Sequence, residues 1–262
     1  MEVMRGLLPA IDIPDLWQRD AVQALRDGRD VIVAAPTGAG KTRIFELFIE
    51  GVPPHRRGQA VYTVPTRALA NEKWAEWRAR GWNVGIATGD VAENVNAPIV
   101  VATLETQRER LLSGQAPGML VLDEYQMIAD EKRGLNYELA IALAPAATRL
   151  LLLSGSVQNP RDIARWMQRL GRSVELVEVA ERPVPLDEFP VERLPRVPRV
   201  EGFWQRLAAG VVAARLSPLL IFAPRRTEAE KIARKVADGL QPDTPISLDP
   251  LRVRFDIDGD GA

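Results

Sequence analysis

The block Ala-Pro-Thr-Gly-Ala-Gly-Lys-Thr at residues 35–42 constrains the fold of this chain more than any other feature. An apolar run at residues 31–34 precedes it and predicts a buried strand, whereas the segment from Arg43 onward has helical spacing. A strand, a glycine-containing loop ending in Gly-Lys-Thr and a helix form the pattern of a phosphate-binding P-loop. The block therefore predicts an α/β fold and a ligand that carries phosphate.

Each position of the loop has a physical role in holding a triphosphate. Gly38 and Gly40 let the backbone curve so that consecutive N–H groups point at phosphate oxygens, and the helix adds the positive end of its dipole. Lys41 is expected to reach the outer phosphates and the Thr42 hydroxyl to bind Mg²⁺. The residues predicted to surround the nucleotide are Thr37, Gly38, Ala39, Gly40, Lys41 and Thr42.

Composition excludes several other kinds of site. The chain has 262 residues, enough for one large domain or two smaller ones, and it has no cysteine, which excludes disulfides and thiolate metal sites. Because the chain has a single histidine, His55, a zinc site built from several histidines is excluded. No apolar run reaches membrane-spanning length and the N-terminus lacks a secretory pattern, so we expect a cytoplasmic protein with no membrane partner. The net charge of −1 neither indicates nor excludes a nucleic-acid partner.

Short apolar runs alternate with amphipathic segments through the first part of the chain. Strands are predicted at residues 31–35, 60–64, 99–102, 119–122 and 150–153. Helical spacing begins at Arg67, Leu104, Leu135 and Asp162. This alternation predicts a parallel sheet flanked by helices, with the ligand at the carboxyl ends of the strands.

The composition changes after Glu181, where closely spaced prolines oppose regular structure. We interpret residues 1–183 as the first α/β domain, residues 184–200 as a Pro-rich linker and residues 201–262 as a partial second α/β domain. In the last part, helices over about residues 200–215 and 227–240 and a strand at residues 219–223 are predicted. The end, residues 256–261, has the first half of a calcium loop without its later glutamate, and is interpreted as a flexible acidic tail.

Two acidic residues follow the apolar run at residues 119–122. A carboxylate at a strand end that faces a P-loop is the second part of an ATPase site. Asp123 is expected to hold Mg²⁺ through water, and Glu124 to orient and deprotonate the attacking water. Without the P-loop the same pair would be interpreted as a charged turn after a strand.

Several blocks, in this order, resemble the motifs of superfamily 2 DExH-box helicases. They are residues 16–21 (Q motif), 36–42 (motif I), 65–70 (motif Ia), 88–90 and 102–105 (two nucleic-acid-contacting blocks), 123–126 (motif II), 154–156 (motif III) and 221–226 (motif IV). The order of residues 133–138, 159–166 and 182–186 resembles the Ski-like (superkiller) group, which contains exosome-associated RNA helicases and related DNA repair helicases. The resemblance implies that both α/β domains are RecA-like.

The resemblance also implies roles for individual residues. Gln18 would recognise the adenine base, and Lys41, Glu124 and Gln126 would be catalytic. Gln126 stands where the family has histidine, and its amide can still link motif III to the γ-phosphate. The residues implied to touch single-stranded RNA or DNA, at phosphate and sugar and without sequence specificity, are Thr66, Arg67, Gly89, Thr103 and Glu105.

Motifs V and VI, which carry the arginine finger of the family, cannot be assigned in this sequence. The resemblance therefore implies an ATP-dependent and Mg²⁺-dependent helicase or translocase whose isolated chain hydrolyses ATP weakly, and which needs further domains or protein partners to complete the motor. The alternative is a non-hydrolysing, ATP-dependent clamp or scaffold on nucleic acid. A third possibility is a P-loop ATPase that acts on protein or small-molecule partners. The sequence leaves the choice between RNA and DNA open.

Overall fold

The computed structural model describes residues 13–156, 159–182, 184–216, 218–238 and 240. It divides the chain into two compact units, Met1–Pro185 and Leu186–Ala262. The boundary falls within the stretch of closely spaced prolines. The predicted acidic tail at residues 256–261 lies outside the described residues.

The first unit is built from alternating strands and helices. Its strands are β1 (Asp30–Ala34), β2 (Ala60–Val64), β3 (Val84–Ala87), β4 (Ala92–Glu93), β5 (Ile99–Thr103), β6 (Met119–Asp123), β7 (Arg149–Ser154) and β8 (Val174–Glu178). Its helices are α1 (Leu16–Arg26), α2 (Lys41–Gly51), α3 (Pro54–Arg57), α4 (Arg67–Ala79), α5 (Arg108–Leu112), α6 (Gly134–Leu143) and α7 (Pro160–Arg169), with 3₁₀ turns at Leu104–Gln107 and Tyr125–Ala129. In the parts of the chain that are described, no helix is both long and apolar enough to cross a bilayer.

The eight strands form one sheet in the order β4-β3-β5-β2-β6-β7-β1-β8. Every pair is parallel except β3 with β4. β7 lies between β1 and β6, so the carboxyl ends of these three strands are neighbours. The predicted α/β fold, a RecA-like parallel sheet flanked by helices, is confirmed.

Alternate side chains of the central strands enter two apolar cores, one on each face of the sheet. In β1, Val31 and Val33 pack in the core on the α1, α2 and α4 side, whereas Ile32 packs in the core on the α6 and α7 side. All three are fully buried, and burying one such side chain contributes about 1.5–3 kcal/mol. Two covered faces explain why these strands are continuous apolar runs in the sequence.

The elements that the sequence pattern did not predict lie toward the edges of the sheet. β3 and β4 have only four and two residues, and β8 is mostly half-buried and carries two glutamates, so none of them has the long apolar run of the central strands. The helix predicted from Leu104 begins as a 3₁₀ turn, and α5 starts only at Arg108. The Thr106 hydroxyl donates to the Thr103 carbonyl at 2.8 Å, a local bond that competes with regular helical pairing.

The second unit contains, among its described residues, a 3₁₀ turn at Val191–Arg193 and the helices α8 (Phe203–Ala213) and α9 (Arg226–Asp238). The strand predicted at residues 219–223 is wrong, since these residues have no regular structure. Leu220 and Phe222 are 76% and 86% exposed. A strand is stabilised by hydrogen bonds to a neighbouring strand, and no described residue of this unit forms a strand beside residues 219–223.

Candidate functional site

The P-loop connects β1 to α2 in a conformation that requires glycine at two positions. Gly38 and Gly40 have φ angles of +83° and +79°, in the left-handed region that glycine adopts without strain. Gly40 precedes the first residue of α2, and a Cβ there would also lie 2.8 Å from Gln18 Nε2. The first turn of α2 has no acidic residue, which leaves the positive end of the helix dipole available to an anion.

Lys41 is held by the loop that precedes it. Its Nζ donates to the carbonyl oxygens of Ala35 at 2.9 Å and Pro36 at 3.1 Å. Burial lowers the pKa of Lys41, while Glu124 and Asp123 act in the opposite direction. The ammonium group is therefore positioned inside the loop, where phosphate oxygens would compete for it with main-chain carbonyls.

Gln18 of α1 is buried against the same loop. Its Nε2 donates to the Gly40 carbonyl at 3.1 Å and to the Ala39 carbonyl at 3.4 Å, while its Oε1 accepts from the Asp15 N–H at 3.0 Å. The side chain thus fixes the start of α1 to the P-loop. Its contact with adenine stays a prediction.

A buried tyrosine connects the two residues predicted to hold the metal. The Tyr62 hydroxyl donates to Asp123 Oδ2 at 2.8 Å and lies 3.3 Å from Thr42 Oγ1. Because an ionised carboxylate can only accept, the tyrosine proton goes to Asp123, and the Thr42 hydroxyl must donate to Tyr62. The rings of Phe45 and Trp77 pack on Tyr62 with centroids 5.0 and 5.1 Å away. Burial and the charge of Asp123 hold the pKa of Tyr62 well above its usual value, so the donor persists.

Tyr62 was not among the predicted site residues, and its only signal in the sequence is a hydroxyl in the middle of an apolar run. Burial raises the pKa of Asp123, and Glu124 adds to this, while hydrogen bonds from Tyr62 and the Glu124 N–H oppose it. A carboxylate and a hydroxyl oxygen are donors that suit Mg²⁺. Within the described residues no group of three or more His, Cys, Asp or Glu could hold a metal.

Glu124 is the first member of a hydrogen-bonded chain that ends in the loop after β7. Gln126 Nε2 donates to Glu124 Oε2 at 2.6 Å, and the Ser154 hydroxyl donates to Gln126 Oε1. The Ser156 N–H in turn donates to Ser154 Oγ at 3.2 Å. Glu124 has a φ of 55°, a strained backbone for a residue other than glycine. The amide that stands where the family has histidine therefore links the acidic pair to motif III.

Gly155 brings that same loop into contact with the P-loop. A Cβ at Gly155 would lie 3.0 Å from Thr37 Oγ1 and 3.4 Å from Lys41 Nζ. The missing side chain allows the loop after β7 to approach the loop after β1. The residues of motifs I, II and III thus lie together at one edge of the sheet.

The five residues predicted to contact nucleic acid line one cavity of about 450 Å³. β2 and β5 are adjacent, with Val64 beside Thr103, so the segments after these strands meet. The lining residues are Pro65, Thr66, Arg67, Gly89, Thr103, Glu105, Thr106 and Arg133. We call this space the strand-end cavity.

Two arginines supply the positive charge of the strand-end cavity. Arg67 forms an ion pair with Asp90, with both side chains about 60% exposed, and its guanidinium would lie 3.0 Å from a Cβ at Gly89. Arg133 donates to the Pro65 carbonyl at 2.7 Å. Arg133 was not among the predicted site residues, although it lies in a block that the family resemblance singled out.

Residues 16–163, more than half of the chain, match the model of the family described as DEAD/DEAH box helicase. The chain belongs to this family. The family assignment made from the order of the motifs is confirmed.

Curated relatives of this helicase-family chain include proteins named after the superkiller complex, as the Ski-like resemblance implied. The chain is 37% identical over 185 residues to DExH-box ATP-dependent RNA helicase DExH15 of Arabidopsis thaliana, covering 66% of this chain and 16% of the relative. The identity to probable helicase HelY of Mycobacterium leprae is 37% over 178 residues, covering 66% and 19%. Superkiller complex protein 2 of Mus musculus is 34% identical over 181 residues, covering 67% and 14%. The chain thus spans less than a fifth of the length of these helicases.

Solved structures share the helicase fold. The DUF1998 helicase MrfA bound to DNA superposes with a TM-score of 0.65 at 16% identity, covering 88% of this chain and 37% of MrfA. The MrfA structure with DNA and AMPPNP gives the same TM-score and covers 86% of this chain. At this identity the likeness supports the fold.

Proposed function

We propose that this chain is the ATP-binding part of a nucleic-acid-dependent ATPase that couples ATP binding and hydrolysis to the binding of single-stranded RNA or DNA. The observation that carries the proposal is the position of β2 between the two sites. Tyr62 of β2 bonds Asp123 beside the P-loop, and Pro65, directly after the strand, lines the strand-end cavity. Nucleotide and nucleic acid would therefore bind at neighbouring strand ends of one rigid sheet.

The residues around the P-loop are arranged for phosphoryl transfer to water. Loop N–H groups and Lys41 would bind the phosphates, and Glu124 would orient the water and accept its proton as the oxygen attacks the γ-phosphorus and the bond to the β-phosphate breaks. Thr42 and Asp123 would hold Mg²⁺, which would supply neutralisation of phosphate charge. Gln126 and Ser154 would keep the Glu124 carboxylate in place.

The strand-end cavity offers groups that suit the sugar–phosphate backbone. Arg67 and Arg133 provide donors for phosphate, and the hydroxyls of Thr66 and Thr103 suit phosphate or sugar oxygens. Binding is proposed to be independent of sequence, since these groups address the backbone. DExH15 of Arabidopsis thaliana is named an RNA helicase and two MrfA structures contain DNA, so both nucleic acids belong in the test.

The proposal is tested by nucleotide binding and phosphate release. We expect a fluorescent ADP analogue to bind the full chain in the presence of Mg²⁺, and Lys41→Ala to abolish binding. Lys231→Ala, on the exposed face of α9, is the matched control. ATP hydrolysis is then measured with and without single-stranded RNA and DNA. Nucleotide affinity that is the same in Lys41→Ala and wild type would contradict the proposal.

A second candidate is a clamp that binds nucleic acid in response to ATP and does not hydrolyse it. Arg226, in the block that resembles motif IV, is exposed and forms an ion pair with Glu230 of its own helix. Phosphate release stimulated by nucleic acid favours the ATPase. ATP-dependent strand binding without phosphate release favours the clamp.

A further inference from the structure

A cavity of about 450 Å³ lies at the edge of the sheet opposite the P-loop. Gly28, just before β1, lines it together with Met119 and Arg149, the first residues of β6 and β7. The P-loop follows the other end of β1, and a strand of five residues spans about 16 Å. The cavity is thus separate from the nucleotide site and from the strand-end cavity.

Four arginines line this cavity, which we call the arginine cavity: Arg26, Arg56, Arg57 and Arg149. No Asp or Glu is among its lining residues, and none of the four arginines forms an ion pair within the described part of the chain. Other arginines of this unit do pair with carboxylates: Arg29, Arg43, Arg67, Arg80, Arg161, Arg165 and Arg172. The cavity thus brings four arginines together without a carboxylate among its lining residues.

Arg57 is a buried cation without a carboxylate partner. Only 8% of the residue is exposed, and its Nε donates to the Val52 carbonyl at 3.1 Å. Its Nη1 donates to the carbonyls of Gly58 and Pro98, both at 3.0 Å, whereas Nη2 makes no hydrogen bond to any described residue. Burial lowers the pKa of Arg57, because leaving water disfavours its charged form. The main-chain carbonyls hold this guanidinium in place and leave Nη2 as a donor for a ligand in the cavity.

Main-chain contacts hold two more of the arginines in place. Arg149 Nη1 donates to the Gly28 carbonyl. The Arg26 guanidinium lies directly over Gly51, where a Cβ would be only 2.1 Å from Nη2. Neither side chain is paired with a carboxylate, which leaves N–H groups available to a ligand.

The ends of three helices explain in part why arginines gather here. The C-termini of α1, α2 and α3 meet at the cavity, where the dipoles of the two longer helices, α1 and α2, each place roughly half a negative charge. These partial charges do not balance four guanidinium groups. A net positive charge remains after the dipoles are counted.

We propose that the arginine cavity binds a small anion that carries two phosphate groups, at a site independent of the nucleotide site. Guanidinium groups bind phosphate through paired N–H donors, and the charge of a diphosphate matches several arginines better than a single carboxylate does. The cavity volume falls within the range of small-molecule sites.

Isothermal titration of the full chain with inorganic pyrophosphate tests the proposal, with saturating Mg²⁺ and ADP in both solutions so that the P-loop is filled. We expect one bound pyrophosphate per chain, and at least tenfold weaker binding in Arg149→Met and in Arg56→Met. Arg56 is exposed, so its replacement leaves the fold intact. Arg169→Met, an exposed arginine of α7, is the matched control and should bind like wild type.

Two outcomes overturn the proposal: no pyrophosphate binding to wild type, or binding that is unchanged in both Arg149→Met and Arg56→Met. ADP affinity is measured separately in each protein. Loss of pyrophosphate binding with ADP affinity retained places the anion in the arginine cavity. Pyrophosphate binding that depends on Lys41 and not on the arginines would instead place it at the P-loop and refute the inference.

Discussion

The Arg67 guanidinium is ion-paired with the Asp90 carboxylate beside the strand-end cavity, with 59% and 60% of their side chains exposed. Exposed ion pairs contribute about 0–1 kcal/mol, so a backbone phosphate can replace Asp90 at little cost. We expect Asp90→Asn to free Arg67, remove a repulsive charge and tighten binding of single-stranded RNA or DNA about two- to fivefold. Fluorescence anisotropy at low salt measures this.

Asp162→Asn is the control for that change, because Asp162 forms a comparable exposed ion pair with Arg165 on α7. Its affinity for nucleic acid should equal that of wild type. If Asp90→Asn binds no more tightly than Asp162→Asn, Arg67 does not contact the strand.

Glu124→Gln should abolish hydrolysis and leave nucleotide binding unchanged. The amide has the size of the carboxylate but cannot accept a proton, and general-base catalysis contributes about 10²–10⁴-fold. Single-turnover phosphate release and ADP titration measure the two effects. Glu138→Gln, an exposed position of α6, should retain wild-type rates.

The chain of hydrogen bonds from Glu124 through Gln126 to Ser154 should behave as one unit. Gln126→Ala and Ser154→Ala should each slow phosphate release while ADP affinity stays the same. Because both substitutions break the same chain of hydrogen bonds, the double variant should release phosphate no more slowly than the slower of the two single variants. Additive losses would show that the two residues act separately.

Tyr62→Phe should reduce the contribution of Mg²⁺ to ADP affinity by about tenfold, since the hydroxyl positions both Thr42 and Asp123. ADP titrations in Mg²⁺ and in a chelator separate this contribution. In the chelator, Tyr62→Phe and wild type should bind ADP equally well. Tyr125→Phe is the control, because the buried Tyr125 hydroxyl has no partner among the described residues. Equal magnesium dependence in both variants would contradict the role of Tyr62.

Gly40→Ala should destabilise the chain more than Gly38→Ala does. Both positions have positive φ, which costs an L-residue about 1–2 kcal/mol, but only the Cβ at Gly40 meets a neighbour, at 2.8 Å from Gln18 Nε2. Urea unfolding measures the free energies. Adding Gln18→Ala should recover the difference between the two variants, and failure to do so would remove Gln18 as its cause.

The parts of the site that could be predicted are those whose residues are adjacent in the sequence. Strand, glycine loop and helix follow one another at residues 31–49, and Asp123 directly ends an apolar run, so both could be located from local pattern. The link between Tyr62 and Asp123 joins residues 61 positions apart, and Arg67 meets Asp90 across 23 positions. Such pairs depend on strand order, which the sequence pattern did not specify.

Strand prediction succeeded where both faces of a strand are covered. It failed where strand formation depends on neighbouring elements that the local sequence does not show. β1, β2, β5, β6 and β7 are central strands and read as continuous apolar runs. The half-buried β8 lacks such a run, whereas residues 219–223 have one and yet form no strand, because an apolar run needs a hydrogen-bonded neighbour to become part of a sheet.

β2 has a consequence for communication between the two ligands. The strand is five residues long and hydrogen-bonded on both sides, so a short paired segment connects Tyr62 to the residues of the strand-end cavity that follow it. If bound nucleic acid changes the nucleotide affinity by some factor, bound nucleotide must change the nucleic-acid affinity by the same factor, as thermodynamic reciprocity requires. The short backbone segment from Tyr62 to Thr66 would then transmit the binding of a nucleic-acid strand to the site that holds the nucleotide phosphates.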